Sequence, residues 1–482
     1  MPVFSFTFFG FFAAVFALYW LAPHRWRTAL LFAASAGFYV LFGLPYTLLL
    51  LACMAGCWAG GLWLGRGRSR LRLALCVALA LAPLLLFKYL DFLAGGLAAL
   101  SGLLGAPFQA PYLKWGQPVG VSYYTFQMIS YLVDVYRQKL APEKNFFACS
   151  VSLSLFLQIT SGPLTRPRDL LPQLRQERAF DTARGIASAQ LVLLGLFKKI
   201  VVADALAYYT KAVYADPTRL YGLSLMVAAL FYTVQIYADF CGYSDMMRGF
   251  GGLLGLELAE NFDAPYLSRS VKEFWKRWHI SLSGWLMEYV YIPLGGNRVS
   301  RPRYYFNLFF TFVLSGLWHG ASAPMLVWGA LHGAYRVAGA ATDGLRLRAY
   351  RALRLRRDGL PARLWQTLVT FVLVGFAWIF FGAPNLATAW YIVSHLFTGF
   401  VPTIAHLKES LVLLGLSAEA CVRFAVLFVA LFAVDLAARD RGWRAWLSAR
   451  RPWVQAAVCY LLVAALVFWG NLGGGNSMYF KF

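Results

Sequence analysis

Long runs of apolar residues recur along the whole chain, and they constrain its fold more than any other feature. A membrane-spanning helix needs about 20 consecutive, mainly apolar residues. The candidate runs are residues 4–22, 28–44, 46–64, 71–89, 119–135, 146–160, 186–207, 221–240, 304–318, 324–341, 364–381, 386–400, 411–436 and 453–472. The sequence therefore predicts an all-α, polytopic integral membrane protein with about 11 to 14 membrane helices. The shorter runs are expected to be re-entrant or interfacial, with their backbone covered by protein or lining a water-filled cavity.

The composition and the distribution of charge agree with a membrane protein. Charged residues make up only 13% of the 482 residues and hydrophobic residues 60%, whereas soluble domains carry about 25% charged residues. In a soluble protein the net charge of +23 would suggest nucleic acid binding. Here Lys and Arg cluster between apolar runs, at 24–27, 66–72, 346–363 and 439–451. The positive-inside rule explains these clusters without nucleic acid, and it predicts that both termini lie outside the cytoplasm.

The chain is expected to form one membrane domain over residues 1–482. The first residues, 1–3, lack the basic segment of a cleavable signal peptide, so the first apolar run is predicted to be a permanent span. No polar stretch exceeds the length of a loop, and no internal repeat is found. The seven cysteines form no CxxC pair, so neither a disulfide framework nor a metal site is predicted.

Residues 235–333 differ from the rest because polar and ionisable side chains are concentrated there. Such groups are unfavourable in a membrane and usually mark function. In the first motif, residues 237–245, Asp239 and Asp245 border Gly242. Two interpretations stay open: a helix break that lines a polar cavity, or a loop in which Asp245 caps the next helix.

The second motif, residues 274–285, is rich in tryptophan and contains His279. At 100° per residue its apolar side chains fall on one face, which predicts an amphipathic helix along the cytoplasmic interface. That face carries Trp275, Trp278, His279, Leu282, Trp285, Leu286 and Tyr289. His279 is either an acid–base group or a structural residue bonded to its neighbours.

The third motif, residues 314–321, places Trp318 and His319 at the end of an apolar run. A desolvated imidazole is disfavoured in its charged form. A neutral imidazole can take a proton from an attacking hydroxyl or thiol as a general base. The alternative is a helix-terminal histidine bonded to a carbonyl group. His332, on the next run, is either a second histidine near the same cavity or a polar group of helix packing.

These motifs resemble a known family. Residues 274–283, 291–298 and 316–320 resemble segments of the membrane-bound O-acyltransferases (MBOAT family). Most similar is the bacterial polysaccharide branch that contains the membrane subunit of alginate O-acetyltransferase. Residues 120–127 and 239–245 fit as well, and the resemblance extends over nearly the whole chain.

The resemblance implies a ring of helices around a thinned centre, with a funnel or tunnel that reaches a catalytic histidine. His319 matches the essential histidine of the family, and His279 its second histidine. It also implies a bacterial inner-membrane enzyme that uses cytoplasmic acetyl-CoA as donor substrate, without a permanently bound cofactor. The acetyl group would pass to periplasmic or membrane-anchored partner proteins that esterify an exopolysaccharide, with alginate the first choice and cellulose the second.

Several side chains are expected to bind the donor or the acceptor. Lys276, Arg277 and Arg298 are candidates for the phosphates of the donor. The other candidates are Trp278, Trp318, Asn307, Asp245 and Gln127. Two different functions stay open. One is a transporter or flippase of a lipid-linked or acyl intermediate, and the other is a scaffold that only recruits acetylation partners; neither needs an essential histidine.

Overall fold

The computed structural model of the protein describes residues 5–105 and 116–470. Within these ranges the regular elements are helices, apart from one isolated antiparallel bridge between Phe262 and Trp278. The prediction of an all-α protein is confirmed. Residues 1–3 and the C-terminal tail, 479–482, for which a location outside the cytoplasm is predicted, lie outside the described residues.

The described residues form two compact units. The first takes the described residues up to 192 together with 246–259, and the second takes 193–245 and 260–470. The single domain over residues 1–482 stays a prediction.

The first unit is built from helices that bury an aromatic core. In chain order they are α1 (Phe6–Leu21), α2 (His24–Val40), α3 (Leu44–Gly65), α4 (Arg70–Leu84), α5 (Leu90–Leu103), α6 (Val121–Tyr136), α7 (Phe146–Ser154) and α8 (Pro167–Arg175), with a π-helical segment, Leu85–Tyr89, between α4 and α5. The hydroxyls of Ser5 and Ser69 accept hydrogen bonds from the first turns of α1 and α4, as helix N-caps do. In the core, the ring of Phe250 lies 5.5 Å from that of Phe8 and 4.4 Å from that of Phe12.

Residues 155–165 of the first unit are buried although they are not helical. The apolar run at 146–160 therefore forms a helix only as far as Ser154. Gln127 of α6 donates hydrogen bonds from Nε2 to Oε1 of Gln158 at 3.2 Å and to the carbonyl oxygen of Thr165 at 2.9 Å. Gln127, a candidate for substrate binding, thus ties the irregular segment to α6. Such bonds satisfy non-helical backbone in a membrane protein.

The remaining helices belong wholly or in part to the second unit. They are α9 (Thr182–Leu196), α10 (Asp204–Ala215), α11 (Leu223–Leu253), α12 (Val271–Arg277), α13 (Ile280–Leu286), α14 (Arg301–His319), α15 (Ala323–Ala341), α16 (Asp343–Ala352), α17 (Leu360–Gly382), α18 (Leu386–His395), α19 (Ile404–Leu413), α20 (Ala418–Ala438), α21 (Trp443–Ser448) and α22 (Pro452–Trp469). π-Helical segments follow α9 (Phe197–Ala203) and α13 (Met287–Tyr291), and a 3₁₀ turn covers Pro265–Leu267. α14 and α15 form an antiparallel hairpin that positions the third motif.

Seven helices within the described residues are long and apolar enough to cross a membrane. They are Leu44–Gly65, Arg70–Leu103, Thr182–Ala215, Leu223–Leu253, Leu360–Gly382, Ala418–Ala438 and Pro452–Trp469. The prediction of a multi-pass membrane protein is confirmed. Other apolar runs form shorter or less apolar helices, among them α1, α14 and α15, so the total of about 11 to 14 membrane helices stays a prediction.

Candidate active site

His319 is the last residue of α14, where the chain turns towards α15. Gly320 follows in an extended conformation and ends the helix. The two helices approach closely because glycines lie between them. A Cβ on Gly316 would lie 2.3 Å from the carbonyl oxygen of Met325, and a Cβ on Gly329 would likewise meet a carbonyl oxygen of α14. These glycines let the two backbones meet and so fix His319 at the end of the hairpin.

Aromatic rings enclose the imidazole of His319, which is only 2% exposed. The ring centroids of Trp318, Trp328 and Phe381 lie 4.8, 5.1 and 5.3 Å from its own. Trp328 belongs to α15 and Phe381 to α17, so three helices form the enclosure. Where these rings cover the imidazole, they exclude water from a group that would react there.

The prediction of one amphipathic helix over the second motif is wrong in one respect: the helix is broken at His279. α12 and α13 are separated by Trp278, which is extended, and by His279, whose φ of 45° and ψ of 53° are left-handed. Trp278 forms its bridge with Phe262, and the carbonyl oxygen of Asn261 accepts a hydrogen bond from the amide of Ile280 at 3.0 Å. These long-range bonds replace helical ones, and sequence periodicity cannot reveal them. The expected apolar face is otherwise buried at Trp275, Trp278, Leu282, Trp285 and Leu286.

The break brings His279 next to His319, with 6.3 Å between their ring centroids. The ring of Phe240 lies 4.7 Å from His279 on another side. His279 is fully buried, and neither of its ring nitrogens forms a hydrogen bond within the described residues. Burial lowers the pKa of His279 from 6.5 to about 3, because a buried imidazolium loses its hydration. His279 is therefore neutral at physiological pH and offers one donor and one acceptor.

His332 belongs to the wall of this site through its packing. Its Nδ1 accepts a hydrogen bond from the indole N–H of Trp275 at 3.2 Å, so a neutral ring carries its proton on Nε2. Its ring centroid lies 5.0 Å from that of Trp328, which also contacts His319. This arrangement favours the interpretation of His332 as a packing group.

The first motif is neither a helix break nor a loop, because it lies within the uninterrupted helix α11. Both interpretations of the motif, as a helix break and as a loop in which Asp245 caps the next helix, are wrong. A carboxylate oxygen of Asp245 lies 2.8 Å from Nζ of Lys198, and Asp239 and Asp204 each pair with Lys199 at 2.6 Å. The two lysines belong to the π-helical segment after α9. Asp245, a candidate for substrate binding, thus has a buried lysine as its ion-pair partner.

The three candidates for binding the donor phosphates differ in their surroundings. Arg277 pairs with Asp263, with Asp440 at 2.8 Å and with a third carboxylate on its own helix. These contacts leave its guanidinium little capacity for a phosphate. Lys276 and Arg298 are exposed, so they can reach an anionic ligand from solution.

Asn307 is fully buried near the start of α14. Its Nδ2 donates hydrogen bonds to the carbonyl oxygens of Leu294 and Gly296, both at 3.1 Å. Asn307 therefore holds the loop that precedes α14. Trp278 and Trp318, the aromatic candidates for substrate binding, are both buried. Each directly precedes one of the two histidines in the sequence.

Comparison with known proteins decides the family. The model of the MBOAT, membrane-bound O-acyltransferase family, matches residues 145–368. The chain is 35% identical over 401 residues to the probable alginate O-acetylase of Azotobacter vinelandii, and this covers 82% of the chain and 77% of that protein. The chain belongs to the membrane-bound O-acyltransferase family. The resemblance drawn from its motifs is confirmed, and the protein is an acyltransferase.

Two further relatives are similar to this O-acyltransferase. The probable alginate O-acetylase of Pseudomonas aeruginosa is 36% identical over 391 residues, which cover 79% of the chain and 72% of that protein. The peptidoglycan O-acetyltransferase of Helicobacter pylori is 34% identical over 330 residues, which cover 63% of the chain and 60% of that protein. The segment that the family model matches contains His279, His319 and His332.

Sequence reasoning about this O-acyltransferase missed some of the structural support of the site. The rings of Trp328 and Phe381 were not among the candidates, and nothing local marks Phe381. The sequence does contain a signal for Lys198 and Lys199: two lysines inside an apolar run require acidic partners. No three His, Cys, Asp or Glu side chains converge to hold a metal ion in the part of the chain that the structure describes.

Proposed function

We propose that this O-acyltransferase transfers the acetyl group of cytoplasmic acetyl-CoA towards a polysaccharide outside the inner membrane. One observation carries the proposal: His279 and His319 lie side by side, with ring centroids 6.3 Å apart, in a buried aromatic enclosure. Polar groups buried in a membrane enzyme usually mark its chemistry. A transporter or a scaffold needs no such pair.

His319 acts as the general base. Its imidazole takes the proton of the acceptor hydroxyl while the hydroxyl oxygen attacks the thioester carbonyl. A C–O bond forms and the C–S bond breaks. The leaving thiolate of CoA takes the proton from the His319 imidazolium, which restores the neutral base and yields an ester and free CoA.

His279 stabilises the oxyanion that forms on the thioester carbonyl. A neutral imidazole can donate one N–H hydrogen bond, and donors that are already in place at a dry site favour the charge of the transition state. The lowered pKa of His279 keeps the ring neutral, so a donor is present without a fixed positive charge. No serine or cysteine nucleophile is assigned, and transfer is direct.

The phosphates of the donor bind near the cytoplasmic surface. Lys276 and Arg298 remain the candidates because they are exposed, while Arg277 instead supports α12 through its carboxylate partners. With the basic loops in the cytoplasm, both termini lie outside it. Acetyl-CoA is a substrate in this scheme, and no cofactor is permanently bound.

The acceptor polysaccharide is alginate, with cellulose as the second choice. The choice of alginate is supported by two relatives, 35% and 36% identical over most of the chain, that are probable alginate O-acetylases. Periplasmic or membrane-anchored partner proteins receive the acetyl group and esterify the sugar hydroxyls. Nucleic acid has no part in the scheme.

The experiment uses membranes from cells that produce the full chain with its partner proteins, supplied with acetyl-CoA labelled in the acetyl group. We expect label in alkali-labile esters of alginate and an equal amount of free CoA thiol. Membranes without the chain provide the control. Translocation of label without thiol release would identify a transporter, and label on cellulose alone would overturn the choice of alginate.

A further inference from the structure

A polar cavity of about 490 Å³ lies at the end of the α14–α15 hairpin opposite to His319. It is lined by Arg301, Tyr304, Tyr305, Ala340, Ala341, Gly344, Leu345 and Arg348. These residues come from the first turns of α14, the last turn of α15 and the start of α16. Since Arg301 and His319 are 18 positions apart in α14, at a rise of 1.5 Å per residue, the cavity is about 27 Å from the catalytic centre along the helix.

The cavity holds two positive charges without acidic partners. Arg301 and Arg348 come from different helices, and neither forms an ion pair within the described residues. Their neighbours differ: Arg346 and Arg357 both pair with Asp343, at 3.3 and 2.9 Å. The positive-inside rule explains why arginines are present, but it does not explain why two uncompensated ones face a common cavity.

The other polar groups of the cavity favour the same kind of ligand. Tyr304 and Tyr305 each bring a phenolic hydroxyl, and their ring centroids are 5.4 Å apart. The amino-terminal turn of α14 adds the positive end of a helix dipole, and the side chain of its N-cap residue, Ser300, does not bond to that turn. Guanidinium forks and hydroxyl donors together match the oxygens of a phosphate group.

Apolar groups next to the cavity indicate where the phosphate comes from. Leu345 in the cavity wall is 63% exposed, and Phe309, one turn beyond Tyr305 along α14, is 39% exposed. Tyrosine is enriched at the membrane interface, and the cytoplasmic leaflet attracts basic side chains to its anionic lipids. Arginine, then tyrosine, then exposed apolar side chains match a phospholipid read from its anionic headgroup, through the interface, to its acyl chains.

We propose that this cavity binds the phosphate headgroup of an anionic phospholipid of the cytoplasmic leaflet. The lipid restrains the amino-terminal end of α14, the helix whose other end carries His319. The site is independent of the acyl donor and of the acceptor glycan, so it stands whether or not acetyl-CoA is the donor. A soluble phosphate compound would use the same chemistry, and the experiment separates the two sources.

The purified full chain, stripped of lipid in detergent, is titrated with phosphatidylglycerol, phosphatidylcholine, CoA and inorganic phosphate. The thermal unfolding midpoint and the mass of lipid retained in native mass spectrometry are measured. We expect phosphatidylglycerol to raise the midpoint and to stay bound, with phosphatidylcholine and phosphate having little effect. Any rise caused by CoA reports binding at the acyltransferase site and should be the same in a variant that lacks Arg301 and Arg348. The double variant Arg301→Gln/Arg348→Gln should weaken this binding about tenfold or more, since two charge-assisted contacts are lost.

Arg346→Gln is the control, because like Arg348→Gln it removes one positive charge from α16, but it lies outside the cavity lining. It should bind phosphatidylglycerol as the unaltered chain does. Arg301 and Arg348 are exposed, so the double variant is expected to fold, and its unfolding midpoint without lipid checks this. Equal binding of the two lipids, equal losses in the control and the double variant, protection by phosphate instead of phosphatidylglycerol, or protection by CoA that the double variant loses would overturn the proposal.

Discussion

The imidazole of His279 lies 6.3 Å from the imidazole of His319, measured between ring centroids, although 40 positions separate them in the chain. Each ring is held in this place by a different local backbone feature. His319 ends a helix that is held against its neighbour by glycines, and His279 occupies a left-handed break between two short helices. The pair is therefore a product of tertiary structure.

Replacing His279 by leucine, which has no hydrogen-bond donor, should lower the rate without moving the pH profile. Burial holds the pKa of His279 at about 3, so between pH 5 and 9 the ring is neutral in the folded protein and gains a proton only as the pH falls towards 3. Loss of a neutral donor to the oxyanion should reduce kcat about 10²- to 10³-fold. A midpoint of the acidic limb that shifts in His279→Leu would show instead that His279 titrates during turnover.

Removing one partner of the buried ion pair between Lys198 and Asp245 should destabilise the fold. Their side chains are 5% and 11% exposed, and an unpaired buried charge lowers the free energy of unfolding by about 3–5 kcal/mol. Thermal unfolding of Asp245→Asn in detergent measures the loss. The double variant Lys198→Met/Asp245→Leu should recover much of it. If Asp245→Asn instead keeps its stability and raises only KM, the carboxylate binds substrate.

A methyl group added at Gly316 should separate α14 from α15. Its Cβ would lie 2.3 Å from the carbonyl oxygen of Met325, a backbone atom that cannot rotate away, so Gly316→Ala should lower the unfolding free energy by about 1–3 kcal/mol. Gly339→Ala in α15 is the control, because nothing lies within 4 Å of its Cβ. Similar unfolding midpoints for the two variants would contradict the close packing of this hairpin.

The hydrogen bond from Trp275 to His332 should contribute to stability more than to chemistry. Trp275→Phe removes the indole N–H and leaves Nδ1 of His332 without its donor, which lowers the unfolding free energy by about 1–3 kcal/mol. We expect kcat to fall only a few-fold. Thermal unfolding and initial rates on the same preparation test this, and a loss of rate as large as that of His279→Leu, without a loss of stability, would assign His332 to the reaction.

The fold class and the burial of His319 at the end of an apolar helix could be predicted from the sequence because both are local signals. Apolar runs report burial in a membrane, and the segment around His319 joins an ionisable group to such a run. The break at His279 could not be predicted, since its 100° periodicity is that of one helix. The carbonyl oxygen of Asn261 and the bridge between Phe262 and Trp278 take the place of helical hydrogen bonds and so interrupt the helix.

The prediction for the first motif was wrong for a related reason. Gly242 suggested a turn, but a Cβ there would lie 2.6 Å from the carbonyl oxygen of Gly195, so its lack of a side chain serves the close packing of α11 against α9. The partners of Asp239 and Asp245 lie about 40 residues earlier, on the π-helical segment. Pairing over such a distance depends on how helices dock, and a single sequence does not record it.

We propose that the imidazole of His319 carries the proton of the acceptor during acyl transfer. The most direct measurement is the ester-linked acetyl content of the secreted polysaccharide from cells whose only copy of the protein is His319→Gln, compared at equal amounts of protein in the membrane. His24→Gln, the same change at a half-buried histidine of the first unit, is the control. We expect acetylation to fall about 10²- to 10⁴-fold in His319→Gln and to stay unchanged in the control. Full acetylation by folded His319→Gln would show that His319 is not the general base.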